Sequence, residues 1–245
     1  MRKLALSDEI LMKIEKPSMY IGGEVNMIKK DPKKVDVRFA MAFPDVYTIG
    51  MSHLGIQIIY DLLNRRDDIY CERVYSPWVD LDKIMREEHI PLFALESQEP
   101  VKNFDFLGIT LQYEMCYTNI LQLLDLSDIP FLSVDRSEDP IVIGGGPCTY
   151  NPEPIADFFD IFYMGEGETE YYHLIDLYKE NKANGGTRRD FFEKAANIPC
   201  MYVPMFYDVS YNEDGTIKEM KCNNPNIQDV IKKDIVLDFD NVCYP

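Results

Sequence analysis

The chain has 245 residues, a formal net charge of −17 and a hydrophobic content of 46%, a composition typical of a globular domain and not of a disordered chain. The excess of carboxylates argues against direct nucleic-acid binding, because phosphates would be repelled. No apolar run is as long as a membrane span and the N-terminus lacks a signal-peptide core, so we expect a cytoplasmic protein that does not contact membranes.

The predicted elements begin with an N-terminal arm over residues 1–34. Apolar residues at helical spacing predict a short helix that ends before Pro17; they are Leu6, Ile10, Leu11 and Ile14. The run VRFAMAF at 37–43 has the length and bias of a buried strand. Ser52 can cap the next helix, which we expect to continue to about Asn64.

Strands and helices then alternate, and we assign residues 35–197 to one domain. The predicted strands are CERVYS (71–76), LFALES (92–97), FDFLGITL (104–111), IVIGGG (141–146) and FDIFYMG (159–165). The predicted helices are DLDKIMREEH (80–89), YTNILQLLDL (117–126), TEYYHLIDLYKENKA (169–183) and one capped by Thr187. This alternation predicts an α/β fold, a flavodoxin-like (Rossmann-like) doubly wound parallel sheet of about five strands.

Within that sheet we expect the first strand to be central, flanked by the strands at 71–75 and 104–111. LFALES is either an added edge strand or a connector, and the sequence assigns no role to the stretch 79–100. Near Ile198 the pattern changes to alternation by twos around Asp214-Gly215, which predicts a β-hairpin. We therefore assign residues 198–245 to a hairpin extension and a linker.

The first motif, Asp45-Val46-Tyr47-Thr48-Ile49-Gly50, follows the first strand, where open α/β sheets bind ligands. It resembles the D-x-H-x-x-G motif of cobalamin-binding domains, with Tyr47 in the histidine place. In that family the histidine ligates cobalt, the aspartate orients it and the glycine admits the corrin. The resemblance implies that Asp45, Tyr47 and Gly50 contact cobalamin without a nitrogen ligand. His53 is either a displaced ligand or a residue of the first helical turn, and we favour the second reading.

Two further motifs follow later strands. Gly108-Ile109-Thr110-Leu111-Gln112 resembles the G-x-S-x-L segment of cobalamin-binding domains, whose hydroxyl faces the buried nucleotide base; Thr110 would take that role. Gly144 and Gly145 occupy the place of a Gly-Gly pair that lies beside the nucleotide tail. Viewed without the resemblance, Thr110 is a strand terminus and the glycines form a tight turn.

Taken together, the phrases KPSMYIGGEVN, FPDVYTIGMSHLG, NPEP and GEGE resemble bacterial radical S-adenosylmethionine (SAM) proteins of the iron–sulfur oxidoreductase type. These carry an N-terminal cobalamin-binding-like domain before a catalytic barrel. The resemblance implies that the natural reading frame continues past Pro245 into such a barrel, which would be the partner of this domain. The alternative is a C-terminal strand docked on the domain. The [4Fe–4S] cluster and SAM would belong to the barrel, since the six cysteines here have no CxxxCxxC spacing.

The sequence therefore predicts an accessory domain with no catalytic residues, no metal ligands and no turnover of its own. Cobalamin binding, if the resemblance extends that far, is expected to be weak. The alternative is a degenerate scaffold that binds no cofactor and positions a substrate or partner for the barrel. The substrate and reaction of the parent protein are left open, as is the oligomeric state.

Overall fold

The sheet is built around β1, which the run VRFAMAF forms at Val37–Phe43. In this computed structural model, which describes residues 4–242 and 244–245, every residue of β1 is buried. Strands buried on both faces occur in parallel sheets that helices cover on both sides. β1 pairs in parallel with β2 (Ile69–Tyr75) and with β3 (Phe106–Thr110). The expected flanking of the first strand is therefore confirmed.

Among the described residues, six strands form the main sheet in the order β2-β1-β3-β4-β5-β6. The remaining strands of this sheet are β4 (Ile141–Gly145), β5 (Ile161–Tyr163) and β6 (Met201–Tyr202). The first five are parallel, and β6 adds one antiparallel edge strand. The order 2-1-3-4-5 is the flavodoxin-like order, which confirms the predicted fold class. A separate hairpin is formed by β7 (Tyr207–Tyr211) and β8 (Ile217–Cys222), as the sequence predicted.

Helices cover both faces of this sheet, so the doubly wound prediction is also confirmed. Their bounds are α1 Asp8–Leu11, α2 Tyr47–Gly50, α3 Leu54–Asn64, α4 Val79–Glu87, α5 Tyr117–Leu126, α6 Tyr171–Ala183 and α7 Arg188–Ala195. One core packs α3, α6 and α7 against the sheet. The other core packs α1, α4 and α5 against the opposite face. Among the described residues, no helix has the length and apolar character needed to cross a membrane.

Of the two alternatives for LFALES, the structure shows the connector and not an added edge strand: the segment makes a turn with one isolated bridge, between Phe93 and Pro100. It covers the outer edge of β2. Leu95 N donates to Arg73 O at 2.8 Å, and Arg73 N donates to Glu96 Oε2 at 2.6 Å. The Arg73 side chain donates a second hydrogen bond, from Nε to Glu96 Oε1 at 2.6 Å, and both side chains are buried. A covered edge cannot pair with another chain, which gives the stretch 79–100 a structural role.

The N-terminal helix is shorter than the sequence predicted. α1 begins after Ser7, whose Oγ accepts a bond from Ile10 N at 3.3 Å, and it ends at Leu11. Ile14 still reaches the core, but from a turn. Pro17 disfavours helical dihedrals at the preceding residue, so the helix could not have continued past this turn.

Candidate functional site

A cavity of about 150 Å³ lies at the carboxyl ends of the parallel strands. β1, β3, β4 and β5 contribute Met41, Thr110, Gly145 and Tyr163 to its wall, and α3 contributes Ile59. The site adjoins the point between β1 and β3 where the strand order reverses. Ligands of flavodoxin-like sheets bind at that point, so this cavity is the candidate site.

The structure brings three of the seven predicted site residues to this cavity: His53, Thr110 and Gly145. The other four do not line it; they are Asp45, Tyr47, Gly50 and Gly144. The motif Asp45–Gly50 therefore packs away from the cavity, whereas His53, which follows the motif, lies at the cavity.

Asp45 and Tyr47 are held by neighbouring protein groups. Asp45 Oδ1 accepts a bond from Val46 N at 2.7 Å, and its Oδ2 accepts one from the Tyr113 hydroxyl at 3.2 Å. The Tyr47 hydroxyl donates to Glu24 Oε1 at 3.0 Å, on the N-terminal arm. Burial and the Glu24 carboxylate raise the pKa of Tyr47. Tyr47 is therefore a neutral phenol whose hydroxyl proton is already donated to Glu24, and this makes it a poor metal ligand.

Gly50 makes room for a neighbouring ring. A Cβ built on Gly50 would lie 2.4 Å from Cε1 of Tyr75 and 3.1 Å from Cβ of Phe43. The Tyr75 ring is fixed in turn by a T-shaped contact with Tyr47, at 5.4 Å between centroids, and by a bond from its hydroxyl to Met51 Sδ. The space that the glycine leaves is thus filled by the protein itself.

His53, not Ser52, caps α3, so the predicted cap was wrong by one residue. Its Nδ1 accepts a bond from Ile56 N at 3.4 Å, and its ring lies 5.2 Å from the Phe43 ring. One imidazole nitrogen thus accepts a hydrogen bond at the helix N-terminus, and the ring forms part of the cavity wall. His53 thus lies at the N-cap, directly before the first helical turn.

The glycines after β4 differ in what surrounds them. A Cβ on Gly144 would lie 2.8 Å from Phe162, on the face away from the cavity. A Cβ on Gly145 would enter the cavity, and its nearest neighbour would be the Tyr171 hydroxyl at 3.8 Å. Gly146 has φ of +104°, which a side chain would strain. Beside them the Thr110 hydroxyl accepts a bond from Gln112 Nε2.

The turn Gly165-Glu166-Gly167-Glu168 forms the remaining wall, and none of its residues is among the predicted site residues. Glu168 lines the cavity, and burial raises the pKa of its carboxyl. Gly167 packs tightly, since a Cβ there would lie 2.7 Å from Ile59 Cδ1. The signal that could have identified this wall is the position of the turn, directly after a strand of the same parallel sheet.

The C-terminal segment fastens this turn through Asp234. Asp234 N donates to Met164 O at 2.9 Å, and Asp234 Oδ2 accepts bonds from Tyr163 Oη at 2.5 Å and from the Thr169 hydroxyl. Gly165 has φ of +117°, and its Cα leaves no room for a side chain beside Asp234 O. Residues distant in sequence therefore fix the cavity wall.

The cavity can be compared with what the expected cobalamin would need. Engineered cavities of roughly 150 Å³ bind benzene, so this cavity has the scale of an aromatic ring and offers the polar groups of Thr110, Gln112 and Glu168. It offers no nitrogen from the Asp45–Gly50 loop. Among the described residues, no group of three or more His, Cys, Asp or Glu side chains is placed to hold a metal ion. Cys243 lies outside the described residues.

Two comparisons with known proteins bear on this site. Residues 55–204 match the family described as radical SAM proteins, N-terminal. An uncharacterized protein of Methanocaldococcus jannaschii is 30% identical over 149 residues, which make up 60% of this chain and 28% of that protein. The chain thus spans little more than a quarter of the length of that relative. The family match includes Thr110 and Gly145 but begins after His53.

Proposed function

We propose that this chain, which belongs to the family of N-terminal regions of radical SAM proteins, is an accessory domain that holds a ligand beside a radical SAM domain. Membership of the family implies a radical SAM domain elsewhere in the protein. The observation that carries the proposal is the cavity at the carboxyl edge of the sheet, lined by His53, Thr110 and Gly145. Iron–sulfur and SAM chemistry are assigned to the other domain.

The ligand that we propose is cobalamin, held by its nucleotide tail. When bound, cobalamin supplies a cobalt centre suited to methyl or radical transfer. In this chain, Thr110 and Gln112 would meet polar atoms of the tail, Gly145 would allow close approach, and Ile59 would contact its apolar surface. These contacts orient the ligand and exclude water from one side of it.

Affinity from the tail alone is expected to be low. An aromatic group that buries on the order of 150 Å² gains about 4 kcal/mol at about 25 cal/mol per Å². That free energy corresponds to a Kd of about 1 mM, before any cost of ordering the ligand. The Tyr47 hydroxyl already donates to Glu24, and Nδ1 of His53 already accepts from Ile56 N, so neither of these two atoms is free to ligate cobalt. Tighter binding would therefore require the radical SAM domain to cover the exposed face of the ligand.

The alternative is a scaffold that binds no cofactor. It is favoured by the Asp45–Gly50 loop, in which the carboxylate is paired with Tyr113 and the space beside the glycine is filled by Tyr75. The two functions differ in one property, the occupancy of the cavity by a ligand.

Titration with hydroxocobalamin, followed by absorbance and calorimetry, separates these functions. We expect weak binding by this domain, tighter binding by the full-length protein, and no spectral change from nitrogen ligation. His53→Ala should leave the spectrum of the complex unchanged. Tight binding whose nitrogen-ligated spectrum is lost in His53→Ala would refute the proposed mode, and no binding by either protein would establish the scaffold.

A further inference from the structure

The outer part of the hairpin β7–β8 is exposed to solvent. None of the residues in its two strands is buried, and three large apolar side chains face solvent: Tyr211, Ile217 and Met220, at 58%, 53% and 44% exposure. An isolated two-stranded hairpin is at best marginally stable in water. Exposed apolar patches of this kind mark interaction surfaces.

The root of the hairpin, in contrast, is fixed to the domain. The Tyr207 hydroxyl donates to Gln228 O at 2.7 Å, and the Tyr207 ring lies 5.0 Å from the ring of Tyr202 on β6. Asn223 N, directly after β8, donates to Phe206 O, directly before β7, at 2.9 Å, and the Phe206 side chain is buried in the core, so both strands are held at this root. The hairpin is therefore an anchored arm whose outer part has no cover among the described residues.

A groove of about 590 Å³ lies beside this root. Its lining is mainly aromatic and apolar: Tyr150, Met164, Tyr202, Tyr207, Met220 and Ile231. Tyr150 comes from the loop after β4, so the groove opens toward the same edge of the sheet as the cavity. Met220 belongs both to the groove and to the exposed side of the hairpin, which makes the two one continuous surface.

We propose that this surface, formed by the groove and the exposed side of the hairpin, docks onto the radical SAM domain of the same protein. That occupant is favoured for two reasons. The family consists of N-terminal regions of radical SAM proteins, and the aligned residues make up only 28% of the length of the relative. A domain seated here lies next to the loop after β4 and hence beside the cavity. The inference rests on the radical SAM domain implied by the family and not on cobalamin, so it can fail without the ligand proposal failing.

Cross-linking of the full-length protein tests the docking. Lys218 and Lys221 are exposed on β8, whereas Lys33 and Lys34 are exposed before β1, at the opposite edge of the sheet. With an amine-reactive cross-linker, we expect Lys218 and Lys221 to link to the radical SAM domain and Lys33 and Lys34 not to. In a mixture of ¹⁴N- and ¹⁵N-labelled protein these links should join peptides of one label.

The variant pair Tyr211→Asp/Met220→Asp should reduce these links at least five-fold without changing the unfolding transition. Val134→Asp, at an apolar residue that is even more exposed and lies outside this surface, should leave them unchanged. Links between peptides of different label would show that a second copy occupies the surface and would overturn the proposal. So would equal linking from both lysine pairs, or links that persist in the double variant.

Discussion

Gly50→Ala is expected to destabilise the domain, although alanine is the better helix former. Gly50 ends α2, where replacing glycine by alanine would by propensity alone gain about 1 kcal/mol. The added Cβ would, however, lie 2.4 Å from Cε1 and 2.6 Å from Cδ1 of Tyr75. Overpacking of a core costs about 1–3 kcal/mol. Because the ring is held by Tyr47 and Met51, we expect the steric cost to exceed the gain, for a net loss of about 1 kcal/mol.

Urea unfolding followed by circular dichroism measures this loss, and a double-mutant cycle assigns its cause. In a Tyr75→Leu background the ring atoms are gone, so Gly50→Ala should be neutral or stabilising by up to about 1 kcal/mol. The same loss in both backgrounds would show that Tyr75 is not what Gly50 accommodates. A neutral Gly50→Ala in the wild-type background would refute the reasoning altogether.

Three other changes probe the framework, two by urea unfolding and one by amide exchange. Thr187→Ala removes the cap of α7, in which Thr187 and Asp190 bond reciprocally, and should cost about 1 kcal/mol; an unchanged midpoint contradicts this. Arg73→Met leaves Glu96 buried without its charged partner and should cost about 3–5 kcal/mol at pH 8. Burial raises the pKa of Glu96 to about 7, so its carboxyl takes up a proton more readily in the folded protein. The loss of stability in Arg73→Met should therefore be smaller at pH 5 than at pH 8, and equal losses at both pH values contradict this. Asp234→Ala should speed amide exchange in the turn 165–168, and unchanged exchange there would show that the bonds to Asp234 do not hold it.

The fold was predictable because buried parallel strands and amphipathic helices have distinct periodicities. The helix at Tyr117–Leu126 was placed at its observed bounds, and Thr187 caps α7 as expected. For LFALES the sequence does not separate an edge strand from a connector, because an apolar run that covers a strand edge has the same composition as a short strand. No local pattern in the sequence indicates that Arg73 and Glu96 form a buried ion pair at this strand edge.

The candidate site was predictable only in part. The order of the strands places the ends of β1, β3 and β4 together, which is why His53, Thr110 and Gly145 meet. Alternation puts Gly144 and Gly145 on opposite faces of the sheet, but the sequence does not say which of them faces the cavity. The wall contributed by Glu168, and its fastening by Asp234, depend on contacts between residues far apart in the chain.

The central claim is that the cavity beside Gly145 holds a ligand, and calorimetric titration of the full-length protein with hydroxocobalamin tests it most directly. Gly145→Val adds a side chain to the cavity, where the nearest atom to its Cβ is 3.8 Å away, so stability should change little while the Kd rises at least five-fold. Gly144→Ala is the matched control: its Cβ would press on Phe162, which should cost about 1–3 kcal/mol of stability and leave the Kd of the folded protein unchanged. A Gly145→Val protein that binds hydroxocobalamin as tightly as wild type would contradict the account.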